Sequence, residues 1–414
     1  MDSLENDKAL PSDLVPLSQA EGRQESEEPS HSTARCQVCH SPRLIELTEY
    51  GALPRITSDC RPFRAGGRLA VCGECDAVQK YPDSQWLQDI GEIYAAYAAY
   101  YQADGDEQVI LDSRTGQVRR RSDVIVERLL ASYPLPKEGR ALDIGCGSGV
   151  TLRALSNVLP GWHLYGQDLD KRNEQRLQAV SGFSGLFDCP PDAIEGQYDL
   201  ITLIHSLEHF PSPGTLLKQL RDKLSPNGIL LVQVCNSARN PYDLLIADHL
   251  MHFSADTLRL LASNCGYAVR AVETEWVGKE LTMMAGRAGN FAAQSVARYQ
   301  SNENAKARVQ AQLTWLESMA VDARTKSDAK QEFGIFGSSI CATWLAGALG
   351  DRVDFFVDED PSRQQKEFRG KPVLAPQQVP KDSQVYMALV PDIAARVSER
   401  LQTLPLQLLQ PPPF

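Results

Sequence analysis

The sequence predicts an α/β protein in three successive parts, and three observations carry that expectation. Ala141 to Val150 (ALDIGCGSGV) reads as a buried strand, a glycine turn and the start of a helix. Ahead of it stand two matched C-x-x-C pairs, Cys36-Gln37-Val38-Cys39 and Cys72-Gly73-Glu74-Cys75. Late in the chain, Phe333 to Asp358 repeats the order strand, turn, helix, strand. With 414 residues, the chain exceeds the roughly 250–300 at which a single core stops growing. The expected architecture is therefore a Rossmann-like parallel sheet, preceded by a small knuckle domain and followed by a second, smaller α/β domain.

Charge and composition narrow the class. The net charge is −11, and residues 1–30 hold eight acidic and two basic side chains, so −6 sits there and −5 on the remaining body. No basic field for nucleic acid is evident. The N-terminus is acidic where a signal peptide is basic, and no apolar run approaches the ~18 residues that span a bilayer. A soluble cytoplasmic protein with no membrane segment is expected. Residues 1–34, rich in Glu, Ser, Pro and Asp, bury too little apolar surface to offset the entropy of ordering and read as a disordered acidic tail.

Ten cysteines without a signal peptide point to metal or thiol chemistry in a reducing compartment. Cys36, Cys39, Cys72 and Cys75 are paired by spacing, with 32 residues between the two knuckles. Each knuckle offers two thiolates to one tetrahedral zinc. A closed four-thiolate site leaves no open position, so residues 35–82 are expected to be a domain held by structural zinc. Redox work, or the remnant of a lost site, are the alternatives.

From Asp83 the pattern turns helical and opens a connector over 83–135. Tyr94, Tyr97 and Tyr100 recur along it with Tyr101 alongside, which reads as aromatic packing or as a platform for a sugar or nucleotide. Residues 122–131 (SDVIVERLLA) form an amphipathic helix leading to the Pro134/Pro136 linker.

The glycine turn then opens the domain expected at 136–288. Asp143 ends the strand, and Gly145, Gly147 and Gly149 alternate through the turn, where the backbone must adopt dihedrals closed to other residues. A dinucleotide fingerprint wants G-x-G-x-x-G/A, whereas here the third glycine arrives one residue early and Val150 takes its place. The form acidic-x-Gly-x-Gly-x-Gly fits a carboxylate facing a ligand ammonium. With these residues LDIGCGSG resembles the first motif of the class I S-adenosylmethionine-dependent methyltransferases. That resemblance implies S-adenosyl-L-methionine as cofactor.

The following units come in the expected order. Trp162 to Asp168 is a second strand, and Asp168 lies 21 residues after Gly147, placed to accept both ribose hydroxyls of an adenosine. Phe187-Asp188 ends a shorter third strand, where this fold usually sets a side chain on the adenine amino group. Tyr198 to Ile204 is a near-continuous apolar run typical of a strand covered on both faces, and it ends in His205-Ser206-Leu207-Glu208-His209. The methyltransferases show a very similar H-x-L-E-H run at this place. A fifth strand, Gly228 to Val234, follows the turn Ser225-Pro226-Asn227-Gly228.

At Asp248-His249-Leu250-Met251-His252-Phe253-Ser254 the resemblance narrows to sugar C-methyltransferases. These bacterial enzymes have an N-terminal zinc knuckle domain, a class I domain, an E-H-x-x-x-F-S-like stretch and a second α/β domain. The resemblance covers roughly residues 36–400 and implies a small-molecule acceptor, a nucleotide-linked keto sugar. It makes His249 the candidate general base, with Asp248, His205 and His209 beside it. Asp248 stands where the family has glutamate, and Ile246 where it has tyrosine. The alternatives are O- or N-methylation of another small metabolite or glycan precursor, and a non-catalytic S-adenosylmethionine-binding module.

Residues 289–330 read as a helical linker. The second Rossmann-like domain is placed at 331–403, with Gly337 to Asp358 again 21 residues. Its degenerate glycine loop suits no intact dinucleotide, and it holds either the substrate nucleotide or a structural role. Residues 404–414 read as a tail. Nothing in the sequence sets the oligomeric state.

Overall fold

A computed structural model describes residues 34–97, 107, 109–112, 114, 117–289, 304–327 and 331–414. All but Ala34 of the expected acidic tail, and also Tyr100 and Tyr101, lie outside the described residues.

The first lobe is built from β1 (Leu44–Glu46), β2 (Arg55–Ile56), β3 (Pro62–Phe63), β4 (Leu69–Cys72) and β5 (Val78–Lys80). β4 runs antiparallel to β1 on one side and to β5 on the other, while β2 and β3 pair as a separate ribbon. Every residue of β4 and β5 is buried, which is why Leu69-Ala70-Val71-Cys72 shows no polar alternation. The helix α1 (Ser84–Ala95) follows, its first turn capped by Asp83, which accepts the Trp86 N–H at 2.9 Å. β6 (Val109–Leu111) and β7 (Val118–Arg120) form a hairpin ahead of α2 (Arg121–Ser132), the amphipathic helix expected at 122–131.

The middle of the chain alternates β8 (Gly139–Ile144), α3 (Val150–Val158), β9 (Trp162–Gln167), α4 (Glu174–Gln178), β10 (Phe183–Phe187), β11 (Tyr198–Ile204), α5 (Pro213–Lys223) and β12 (Leu224–Cys235). One boundary differs from expectation. Ser225 to Gly228, read as a turn, lies inside β12, because buried Leu224 pairs with Tyr198 and a register shift absorbs the residues before Ile229. β13 (Met251–His252), α6 (Ala255–Asn264), β14 (Tyr267–Glu273) and β15 (Glu280–Arg287) complete the segment.

Seven of these strands form one sheet in the order β10-β9-β8-β11-β12-β15-β14, with β15 antiparallel to both neighbours. Side chains alternate across it. Leu142, Ile144, Ile201, Leu203 and Val232 enter one apolar core, and Ala141, Leu164, Leu200 and Leu231 enter the other. The strand order reverses at the parallel pair β8 and β11, and ligands of open α/β sheets bind beyond the carboxyl ends of strands at such a point.

β13 belongs to another sheet. It pairs antiparallel with β5, Met251 opposite Gln79 and His252 opposite Val78, so the first lobe's sheet is β1-β4-β5-β13. The residues just after His249 are thus strand partners of the knuckle lobe.

The long helix α7 (Ala305–Lys326) packs Val309 and Leu313 with Tyr50 and Leu244 at its start, and Trp315 and Met319 with the last unit further on. That unit contains β16 (Phe333–Phe336), α8 (Ile340–Leu349), β17 (Phe355–Val357), β18 (Glu367–Phe368), β19 (Lys371–Leu374), β20 (Gln384–Met387), α9 (Pro391–Leu401) and β21 (Gln407–Leu409). Its sheet runs β18-β19-β17-β16-β20-β21, parallel except for β18. The expected tail at 404–414 is instead packed. β21 adds an edge strand to β20, and the Pro412 carbonyl accepts the Trp315 indole N–H at 3.0 Å. No helix of the described residues is long and apolar enough to cross a membrane.

Candidate active site

The turn between β8 and α3 takes the left-handed backbone that its glycines allow, with φ of 71° at Gly145, 49° at Gly147 and 77° at Gly149. A Cβ on Gly149 would stand 2.5 Å from Leu177 Cδ2, whereas one on Gly147 would meet nothing within 4 Å. The turn is therefore closed towards the helix layer and open at Gly147, whose main chain no side chain covers. The Gly147 N–H donates to Asp168 Oδ2 at 2.8 Å, and Asp168 Oδ1 accepts the Asp170 N–H at 2.9 Å. Asp143 is buried and its Oδ1 accepts the Thr202 hydroxyl at 2.6 Å. Burial pushes its carboxyl up to about 7, against the Thr202 hydrogen bond. Asp143, Gly145, Gly147, Gly149 and Asp168 thus surround one turn at the switch point. Asp188, at the end of β10, is exposed and pairs with Lys171.

Four histidines and four acids gather beyond β11. His205 sits at a φ of 50°, a strained conformation for a non-glycine residue, with its N–H on the Gln233 carbonyl at 2.8 Å. Its Nδ1 lies 3.3 Å from Glu208 Oε1 and its Nε2 3.2 Å from Glu280 Oε2. Burial depresses this imidazole, but Glu280 and Glu208 outweigh it and hold its pKa at about 9. His209 Nδ1 lies 3.3 Å from Asp248 Oδ2. Burial again acts downward there, and Asp248 overcomes it and raises the pKa.

His249 is only 3% exposed, and its Nδ1 lies 2.7 Å from Asp243 Oδ1. His252 Nδ1 takes the other oxygen of Asp243 at 2.8 Å, and burial pulls that imidazole down to about 4. The rings of His209 and His249 meet edge to face with centroids 4.6 Å apart. Two carboxylate–imidazole pairs therefore face each other, Asp243 with His249 and Asp248 with His209. From α1, Tyr94 stands over this cluster, its ring centroid 6.4 Å from that of His209 and 5.5 Å from that of Tyr97.

Residues 115–272 match a family described as a methyltransferase domain. Over that stretch the chain is similar to methyltransferases. It is similar to the ubiquinone biosynthesis O-methyltransferase of Marinobacter nauticus, 32% identical over 118 residues that cover 26% of this chain and 48% of that one. It is also similar to the trans-aconitate 2-methyltransferase of Variovorax paradoxus, 30% identical over 120 residues, 28% of this chain and 46% of that one. The chain thus spans about half the length of the curated relatives it matches. A solved structure of mitomycin 7-O-methyltransferase aligns with 41% of this chain and 53% of its own at 17% identity and a TM-score of 0.36, too loose a likeness to bear on function.

The knuckle lobe grips the methyltransferase domain where the histidines lie. Lys80 Nζ, fully buried, donates to the carbonyls of Ile246, of Ala247 at 3.3 Å and of His249 at 2.8 Å. Burial and the Arg55 charge pull its pKa down to about 7, with Asp243 and Asp248 acting the other way. Ser58 donates its N–H to Asp248 Oδ1 at 2.8 Å, and its hydroxyl to Oδ2. Asp248 is accordingly a bridge from the loop to residue 58 and to His209, while the acid that orients His249 is Asp243. Sequence reasoning missed Asp243, Glu280, Lys80 and Ser58. Each makes its contact across 6 to 190 positions of sequence, and none sits in a recognisable motif. Glu208 lay inside the quoted H-x-L-E-H run and carried a signal that went unused.

The four knuckle cysteines converge. Sγ atoms of Cys36 and Cys75 are 3.6 Å apart, those of Cys39 and Cys72 3.5 Å, and all four lie within 4.8 Å of one another. Four thiolates at about 2.3 Å from a tetrahedral zinc stand roughly 3.8 Å from each other, so this donor set fits that ion. Main-chain N–H groups of Val38 and Glu74 point at the Cys36 and Cys72 sulfurs at 3.4 Å each, which favours the thiolate form. In the last unit, Asp358 accepts the Ser338 hydroxyl at 2.6 Å and lies 3.5 Å from Arg363 Nη1.

Proposed function

We propose that this chain transfers a methyl group from S-adenosylmethionine to a small acceptor, most specifically a nucleotide-linked keto sugar, with His249 as the general base. The observation that carries the base is the 2.7 Å contact between His249 Nδ1 and Asp243. It fixes the ring and leaves Nε2 to take a proton, as a carboxylate does for an imidazole base elsewhere. Asp143, the three glycines and Asp168 are the residues assigned to hold the cofactor, with Asp188 contributing from the edge of the site. Bound there, S-adenosylmethionine supplies a methyl already activated on a sulfonium. The chain's own tasks are then to align the acceptor, exclude water and remove a proton.

His205, held between Glu208 and Glu280, adds a cation beside the acceptor, and His209 with Asp248 lines the same wall. Zinc at Cys36, Cys39, Cys72 and Cys75 is assigned a structural part. It stiffens the lobe whose Lys80 and Ser58 hold the loop of His249. The last α/β unit, with its Asp358 bound to Ser338, is assigned to the acceptor's nucleotide or to support. A cytoplasmic location fits the thiol chemistry.

A second reading, O-methylation of another small metabolite, is favoured by the likeness to ubiquinone biosynthesis O-methyltransferases. Ile246 and Asp248, where sugar C-methyltransferases have tyrosine and glutamate, favour it too. Incubation with S-adenosylmethionine and a panel of nucleotide-linked keto sugars and other small hydroxylated metabolites, read by mass for a product heavier by one CH2, tests both. No product, together with no calorimetric binding of S-adenosylmethionine, overturns the proposal.

A further inference from the structure

We propose that Glu208, His209 and His249 form a second divalent-cation site, suited to zinc or another late first-row ion, whose occupation takes the ring nitrogen on which the base depends. One ligand atom from each of the three lies within 4.8 Å of the other two. His249 Nδ1 is committed to Asp243 at 2.7 Å and His209 Nδ1 to Asp248 at 3.3 Å, so Nε2 is the coordinating atom left to each ring. A carboxylate on the far nitrogen is the arrangement that metal-binding histidines use. It fixes the tautomer and makes the free nitrogen a better donor.

Glu208 supplies an independent indication. It is 1% exposed, and neither carboxylate oxygen accepts a well-formed hydrogen bond, although Oε1 stands 3.3 Å from His205 Nδ1. A buried carboxylate with no well-formed hydrogen bond, its charge met by the His205 imidazole at 3.3 Å, costs free energy, and a metal cation bound to it lowers that cost. Both oxygens belong to the side chain grouped with the two rings.

The donor set selects the ion. Two imidazoles and one carboxylate suit zinc and its neighbours, whereas magnesium and calcium want oxygen throughout. The Cys235 thiol borders the same space, grouped with His205 and Glu208 on one side and with Asp243 and His249 on the other. It is a soft atom where a soft-tolerant ion sits. His209, 14% exposed along its side chain, gives the route in from solvent.

The consequence is an off state. A lone pair engaged by a metal cannot accept a proton, so the ion and the proton of the acceptor compete for His249 Nε2. The off state rests on the reading of His249 as base. The metal site stands without that reading, because it needs only the three side chains.

The test is equilibrium dialysis of the full chain against Zn2+ followed by metal analysis. Wild type is expected to retain about two ions per chain. Glu208→Gln and His209→Gln are each expected to retain one, held by the cysteines. Retention of that one shows that the variant lobe is intact. Wild type saturating at one ion, or both variants still holding two, overturns the site. Calorimetry with S-adenosylmethionine on the same samples separates outcomes. Unchanged cofactor affinity in Glu208→Gln confines the loss to the metal, whereas no affinity in wild type refutes the methyltransferase reading alone.

Discussion

Lys80 Nζ donates to the main-chain oxygen of His249 at 2.8 Å, across 169 positions of sequence. A residue at the end of the knuckle lobe's last strand thereby fixes the backbone of the proposed base. Lys80→Met leaves three buried carbonyls short of a donor, each worth about 1–3 kcal/mol when unsatisfied. We expect a large loss of stability in denaturant titration, partly restored in Lys80→Arg, with zinc content retained. Wild-type stability in Lys80→Met means that the loop holds itself.

Removal of the metal proposed for the knuckle is expected to act along the same path. Cys72→Ser is expected to lose the zinc and to lower the melting temperature. Methyl transfer should fall because β13 and the His249 loop lose their strand partner, while S-adenosylmethionine affinity changes little. A zinc-free variant with full turnover rules out the bracing role.

For the cofactor, Asp168→Ala is expected to weaken S-adenosylmethionine binding by ~1–3 kcal/mol, the scale of hydrogen bonds to a charged group. Asp188→Ala is expected to weaken it less, since its exposed carboxylate already has Lys171. Calorimetry on the two variants checks the ranking, and the reverse order refutes it.

For the chemistry, His249→Asn is expected to cut turnover by roughly 10²–10⁴-fold with S-adenosylmethionine affinity little changed. Asp243→Asn should lower turnover too, through loss of the ring's orientation. Single-turnover rates with saturating cofactor are the measurement, and near-normal turnover in His249→Asn transfers the role to His205 or His209.

The pH dependence of stability should carry the mark of Asp143. Its folded pKa of about 7 lies above the ordinary ~3.9 of an unfolded aspartate, so folding favours the protonated form. That contribution is complete below pH ~4 and is lost as pH rises towards 7. Asp143→Asn therefore gains on wild type between those limits. Thermal melts of ligand-free protein at pH 4, 6 and 8 should show the difference widening with pH, and a constant difference contradicts the burial of the charge.

Much of the fold was legible in the sequence because its causes are local. The glycines of the cofactor turn take backbone angles that other residues avoid, the apolar strands 141–144 and 198–204 are covered on both faces, and paired cysteines advertise their spacing. The H-x-L-E-H run placed His205, Glu208 and His209 at a strand end for the same reason. Those signals are written within ten or so residues. What only the tertiary structure decided is who meets whom. Asp243 rather than neighbouring Asp248 holds His249, because the loop turns Asp248 towards Ser58 and His209. β13 leaves the large sheet for the knuckle lobe, and residues 407–409 become an edge strand instead of a tail. Hydrogen bonds and buried charges between segments far apart in sequence leave no periodicity behind them, so their pairing is set only when packing brings the segments together.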